Sequence, residues 1–216
     1  MAADIALLVI DMQRDFCEPG GYAAQAGLDV ARLRAPIPHI ARLLDAARAQ
    51  GLTVVHTREG HRPDLADLTP AKRDRCAAAG APVGDPGPLG RLLVCGEYGQ
   101  DIVDELAPLP GETVIDKPGY SAFHATDLDR HLAAAGIHRL VIAGVTTDVC
   151  VHSTLRAAVD LGYRCTTVAD ACAAADPALH TAALAMIRGE GGVFGAVADT
   201  DTVLRAWRTE HPGDDA

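Results

Sequence analysis

Three residue types in this chain can act together on a carbonyl carbon: the carboxyl of Asp11, the amine of Lys117 and the thiol of Cys150. Each stands at the end of an apolar run. "ALLVI" stops at Asp11, "TVIDK" closes on Lys117, and "LVIAG" leads through "VTTD" to Val149 and Cys150. A thiol titrates near 8.5 and attacks only as the thiolate. A helix N-terminus and a neighbouring ammonium both favour that form. A carboxylate beside them can take the thiol proton and later return it to a leaving amine. The backbone N–H groups of Thr146 and Cys150, in the turn before the helix, are candidates to hold the oxygen of a tetrahedral intermediate. Gly144 permits the close backbone approach this needs.

Taken singly, these residues have ordinary readings. An Asp after a strand is a common turn residue, a Lys before Pro118 is commonly exposed, and a Cys opening a helix is commonly small apolar filling. The chemistry requires that strand ends far apart in sequence meet.

The elements needed for that are legible. Apolar runs at 5–10, 52–57, 113–117, 139–144, 164–170 and 191–199 read as strands. Helical spacing over 29–50, 125–136, 149–162, 176–189 and 200–208 reads as helices. Pro36 and Pro38 mark the entry of the first, Gly51 its stop, and Thr126 or Asp127 the cap of the second. Residues 58–100 are irregular and rich in Gly, Pro and charge, with a short helix expected at about 70–79. Strands alternating with helices predict an α/β fold: three layers, α/β/α, around a roughly six-stranded, mainly parallel sheet. The chain reads as one domain over 1–216 with a loop or lid excursion at 58–100 and a loose tail at 211–216. Parallel strands place their carboxyl ends at one edge, where ligands bind.

Composition narrows the partners. The net charge of −10 repels phosphate backbones and anionic lipid, so neither nucleic acid nor membrane is expected. No run approaches the roughly 20 apolar residues of a membrane span, and the start "MAADIALLVIDMQ" lacks the pattern of a signal peptide. A cytoplasmic chain is expected. Its six cysteines are scattered, without a paired metal-type spacing.

The segments "LLVIDMQRDF", "DKPGYSAF" and "GVTTDVCVHSTLRAAVDLGY" together resemble the isochorismatase-like cysteine hydrolases, over about residues 5–205. The resemblance implies an Asp–Lys–Cys triad at Asp11, Lys117 and Cys150, and a non-proline cis peptide between Val145 and Thr146. Retention of a cysteine at 150 is similar to the amide-cleaving branch. The stretches "DFCEPGGYAAQAGLDV", "HTREGHRPDLADL" and "GGVFG" resemble the biuret and ureidoacrylate hydrolases most. By that resemblance Phe16 forms an apolar pocket wall and residue 190 faces the substrate. Glu190 stands where biuret hydrolases carry glutamine, and a carboxylate suits a ligand rich in N–H groups. The alternative for Glu190 is a solvated charge at a helix end. Tyr120 and Phe123 are further pocket candidates, or else pack the loop beneath it. His152 and Ser153 read as helix-face or subunit-contact residues.

These readings give a cysteine-dependent amidohydrolase of small ureides, of biuret or triuret type, working without a cofactor. The alternatives are a ureidoacrylate or N-carbamoyl amidohydrolase, a nicotinamidase-type hydrolase of aromatic amides, or a scaffold that kept the fold. Metal-binding nicotinamidases carry Asp-x-His and further histidines after the second strand. Glu59 and His61 echo two of those positions without a complete set, so no metal is expected. Relatives of this kind associate, and a homodimer or homotetramer is expected.

Overall fold

The computed structural model describes residues 4–210. The tail expected to be loose, 211–216, lies outside them. β1 (Ile5–Ile10) is followed by three short helices, α1 (Arg14–Cys17), α2 (Tyr22–Gln25) and α3 (Val30–Arg34), then by α4 (Ile37–Ala49) and β2 (Thr53–Glu59). α5 (Pro70–Ala78), the small ladder of β3 (Pro86–Gly87) with β4 (Gly90–Arg91), and a 3-10 turn (Asp104–Leu106) precede β5 (Thr113–Lys117). Then come α6 (Leu128–Ala134), β6 (Arg139–Val145), a wide π-type turn (Thr147–Val151), α7 (His152–Asp160) and β7 (Arg164–Ala173). α8 (Pro177–Gly192), β8 (Ala196–Ala198) and α9 (Thr200–Glu210) complete the order.

Six strands form one parallel sheet in the order β5-β2-β1-β6-β7-β8. Both faces of β1 are buried. Ile5, Leu7 and Val9 enter the core shared with α4 and α9, whereas Ala6, Leu8 and Ile10 enter the core shared with α6, α7 and α8. Two cores flanking one sheet make the α/β/α sandwich, and strands buried on both sides explain the continuous apolar runs. Among the described residues no helix is long and apolar enough to cross a membrane.

The sheet grows outward from β1 through β2 to β5, then resumes on the other side of β1 with β6. Strand order therefore reverses between β1 and β6, and the crevice outside their carboxyl ends is the expected ligand position. In register, Ile10 lies beside Gly144 and Glu59 beside Lys117.

Several boundaries differ from the sequence reading. Pro36 caps α4 and splits the expected 29–50 helix into α3 and α4. β2 continues two residues past Thr57, and β7 continues to Ala173. Of the expected 191–199 strand only Ala196–Ala198 pairs, because Gly189, Glu190 and Gly191 first leave helical geometry at the end of α8. The expected 149–162 helix shortens to α7 (His152–Asp160), and its first residues, Cys150 included, belong to the π-type turn, in which the Val151 amide reaches the Thr146 carbonyl at 3.1 Å.

Candidate active site

β1 ends at Asp11, whose φ of 49° turns the chain sharply off the strand. Its amide donates to the Thr57 carbonyl at 3.2 Å, and the Thr57 hydroxyl donates back to Asp11 Oδ1 at 2.6 Å. The other carboxyl oxygen lies 2.6 Å from Lys117 Nζ. Lys117 closes β5 and also donates to the Gly119 carbonyl at 2.9 Å. Both side chains are wholly buried. The Cys150 thiol donates to Glu59 Oε2 at 3.4 Å, and one polar atom each of Asp11, Glu59 and Cys150 lies within 4.8 Å of the others. The structure thus brings the three sequence-predicted groups together and adds a fourth, Glu59.

Glu59 is held from three sides. Lys117 Nζ lies 3.7 Å from its Oε2, as their strand register requires. Lys72 Nζ lies 2.6 Å from its Oε1 and donates to the Pro118 carbonyl at 2.8 Å. Lys72 is placed by the start of α5, where Pro70 opens the helix and the Thr69 hydroxyl accepts from the Lys72 amide. The third support is Gln13. Its Oε1 accepts from the Glu59 amide at 2.6 Å and its Nε2 donates to the Glu59 carbonyl at 2.8 Å.

The "DMQRDF" segment is therefore a set of anchors around the Cys150 thiol. Buried Asp15 accepts from the amides of Tyr22 (3.2 Å) and Leu93 (2.9 Å), tying two loops to the pocket wall. Phe16 meets the Tyr22 ring edge-on at 5.8 Å. Gly144 has φ of +121°, and a Cβ there would stand 2.1 Å from the Ile10 carbonyl oxygen. Only glycine lets β6 pass this close to the end of β1. The Val145–Thr146 peptide is cis.

A cavity of about 450 Å³ opens over Cys150, lined also by Phe16, Tyr22, Glu59, Arg75, Tyr120 and Thr146. Of the expected pocket residues, Phe16 and Tyr120 line it; Phe123 and Glu190 do not. Phe123 packs against the Tyr163 ring at 5.7 Å within the α6–α7 core. Glu190 is exposed at the end of α8, which runs antiparallel to the strands and so finishes at their amino edge. Its neighbours Gly192 and Val193 line a groove with Ile5 and Arg139, which begin β1 and β6. That edge is opposite Cys150, so Glu190 is a charge at a helix end. Thr146 and Cys150 both border the cavity, and the Thr146 carbonyl is held by the Val149 and Val151 amides. His152 is buried in the helix face, its Nδ1 accepting from Arg156 at 2.9 Å, and Ser153 borders a neighbouring cavity with His61.

Electrostatics revise the expected resting state. Burial pushes the Cys150 thiol well above its ordinary value, and Asp11 and Glu59 add to this against Lys117. The sulfur therefore rests as a thiol, and burial outweighs the help that Lys117 gives to the thiolate. Burial raises the Asp11 carboxyl, with Lys117 opposing and Glu59 reinforcing the rise. Burial also opposes charge on Glu59, but Lys117 and Lys72 outweigh it and leave Glu59 below the usual range. Lys117 stays charged because the carboxylates of Asp11 and Glu59 overcome its desolvation.

Asp11, Glu59 and Cys150 also form a cluster of metal-type donors. The two carboxylates are already matched by the ammoniums of Lys117 and Lys72, 2.6 Å away in each case. A metal ion would have to displace a buried lysine, so this donor set does not fit one.

Sequence reasoning missed Lys72, Arg75, Tyr22 and Gln13, and met Glu59 only as an echo of a metal position. Extending the β2 run by two residues would have brought Glu59 beside Lys117.

The Isochorismatase domain model matches residues 5–202. The ureidoacrylate amidohydrolase of Azorhizobium caulinodans is 39% identical over 163 residues, 74% of this chain and 72% of that protein. The ureidoacrylate amidohydrolase of Serratia proteamaculans is 36% identical over 202 residues, 92% of this chain and 81% of that protein. A cysteine hydrolase structure from Pseudomonas syringae pv. phaseolicola superposes with a TM-score of 0.81 at 30% identity, covering 95% of this chain and 93% of that one. N-carbamoylsarcosine amidase of Thermoplasma acidophilum gives a TM-score of 0.70 at 28% identity, covering 93% and 98%. With a domain match that begins at the first strand and ends in the last helix, the chain belongs to the isochorismatase family.

Proposed function

We propose that this protein is a cysteine-dependent amidohydrolase that cleaves a C–N bond of a small ureido compound, of the ureidoacrylate or N-carbamoyl type. The observation that carries the reading is a buried thiol beside an Asp–Lys ion pair at the floor of a cavity, in a chain related to ureidoacrylate amidohydrolases. Biuret and triuret, placed first by the sequence, have less support. Glu190, which favoured them, lies at the opposite sheet edge.

The reaction follows from the positions of the groups. As the ureido carbonyl approaches Cys150, the Asp11 carboxylate takes the thiol proton and sulfur bonds to carbon. Lys117 stabilises the charge at Asp11 and at the forming sulfur centre. The amides of Thr146 and Cys150 receive the negative oxygen. Asp11 then returns the proton to the departing nitrogen, the C–N bond breaks, and an amine leaves a carbamoyl group on sulfur. Water, deprotonated by Asp11, displaces the sulfur, Asp11 passes that proton back to the sulfur to restore the thiol, and the carbamate released decomposes to ammonia and carbon dioxide.

The same reading puts the protein in the cytoplasm as a homodimer or homotetramer. Six free cysteines suit a reducing compartment, and the exposed Leu179 and Met186 on α8 offer apolar surface for a second copy. Sedimentation tests the assembly. Ammonia release across ureido acids, carbamoyl amino acids, biuret and pyridine carboxamides tests the chemistry. Ureido acids are expected to lead, and Cys150→Ser is expected to lose at least about 10³-fold in turnover. Normal turnover by Cys150→Ser would end the covalent mechanism.

A further inference from the structure

The charges around Cys150 can be matched one by one. Asp11 pairs with Lys117 and Glu59 with Lys72, so two carboxylates cancel two ammoniums at the cavity floor. Arg75, from α5, is left over. It is the single Lys or Arg side chain lining the cavity, and among the described residues no carboxylate lies within ion-pair range of it. An unmatched guanidinium stands out in a chain of net charge −10, whose acidic groups neutralise many of its other arginines.

Depth gives the pocket a direction. Cys150 is 4% exposed at the floor, whereas Arg75 is exposed at the mouth. Between them the wall is apolar, built from Phe16, Leu28, Ala79 and Val149. At the mouth Arg75 Nη2 donates to the Tyr120 hydroxyl oxygen. That contact occupies an acceptor site on the phenol and leaves its O–H available to donate. Arg75 retains further N–H groups in its planar fork, a geometry that matches a carboxylate. Tyr120 is half-buried and lines the same cavity, with the guanidinium carbon 5.3 Å from its ring centroid.

We infer that Arg75 and Tyr120 form a carboxylate-recognition site, so that the preferred substrate is an anion with its ureido group at Cys150, a short apolar spacer and a carboxylate at the pocket mouth. This rests on the ureido-hydrolase reading for the head group and adds the charge of the tail. A neutral ureide such as biuret leaves the Arg75 charge unmatched. An anionic ligand balances it, and a positive mouth on an acidic protein concentrates anions at the one opening where they react.

The test separates the charge site from the chemistry. In a Cys150→Ala background, which cannot turn over, calorimetry measures the affinities of 3-ureidopropionate and its neutral methyl ester. The anion is expected to bind about 10-fold or more tightly than the ester. Adding Arg75→Gln should bring that ratio close to one, and Arg75→Lys should restore part of it by charge without the fork. Because the readout is a ratio within one variant, a general loss of folding does not imitate the effect. A ratio near one with Arg75 in place, a ratio that Arg75→Gln leaves intact, or no measurable binding of either ligand would overturn the inference. Hydrolysis is scored separately with Cys150 present. A ratio that depends on Arg75, without cleavage of any ureido acid, would keep the anion site and remove the ureido-hydrolase reading.

Discussion

The Cys150 thiol gives its hydrogen bond to Glu59, 3.4 Å away, rather than to the Asp11 carboxyl that is paired with Lys117. The Cys150 sulfur therefore rests on a carboxylate that is itself clamped by two lysines, while Asp11, the proposed proton acceptor, keeps its ion pair. Glu59 also raises the Asp11 carboxyl through its like charge. Replacing Glu59 with Gln removes that charge, so Asp11 should ionise at lower pH. We expect the acid limb of kcat/KM to move to lower pH in Glu59→Gln, with a loss of about 10-fold or more at the optimum as the thiol loses its resting partner. A pH–rate profile measures both, and an acid limb that stays in place would show that Glu59 does not act on Asp11.

Asp11→Asn should separate reactivity from catalysis. Lys117 lowers the Cys150 thiol, and Asp11 opposes it through its charge. With Asp11 neutral, Lys117 acts on the sulfur with less opposition and the thiol becomes more acidic. Alkylation of Cys150 by iodoacetamide at pH 8 should then be faster than in the wild type. Turnover should fall by about 10³-fold or more, because no group remains to pass a proton to the leaving nitrogen. Mass spectrometry of the labelled peptide reads the first effect and ammonia release the second. Slower alkylation together with lost turnover would contradict the assigned charge balance.

Gly144 is a backbone requirement at the same crevice. Alanine there would place Cβ 2.1 Å from the Ile10 carbonyl oxygen, with a φ of +121° that L-residues rarely adopt. The neighbouring group is central-strand backbone and cannot swing away. Gly144→Ala is expected to lose about 3 kcal/mol or more of stability. It should also spoil the relation between Asp11, which follows Ile10, and the turn that carries Cys150. Urea unfolding tests this. A near-native midpoint would mean that β1 and β6 can separate without cost.

The parts of this site that could be read from the sequence are those with local signals. An apolar run that stops at a polar residue marks a strand end, and a parallel sheet gathers such ends at one edge, so Asp11, Lys117 and Cys150 were identifiable together. Lys72 and Arg75 were not. They lie on α5, the short helix expected within the irregular 58–100 stretch, and only the folded chain shows that this helix lines the chain's own pocket. Glu190 was misplaced for a directional reason, since a helix returning between parallel strands ends at their amino edge. The balance at Cys150 was not legible either, because burial of the thiol outweighs the nearby cation, and burial is not written in the spacing of residues.

Alkaline stability depends on thiols outside the site. Burial pushes Cys17, Cys165 and Cys172 each up to about 12, from an ordinary value of 9.0. A folded-state pKa above the unfolded one means that the folded chain holds its proton longer as pH rises. The stability tied to that proton is fully present below pH 9 and is lost progressively as pH climbs towards 12. Each thiol contributes a slope of at most about 1.4 kcal/mol per pH unit in that window. The phenols of half-buried Tyr22 and of Tyr163 are also pushed up and act in the same direction above pH 10. Urea unfolding at pH 7.5, 9.0, 9.75 and 10.5 should show little change to pH 9 and a steepening loss beyond it. Cys172→Ala removes one titrating group whose sulfur contacts the Ile142 carbonyl at 3.8 Å, so its pH slope above 9 should be shallower than the wild type's. An equal slope in the two proteins would show that Cys172 ionises no differently in the folded and unfolded chains.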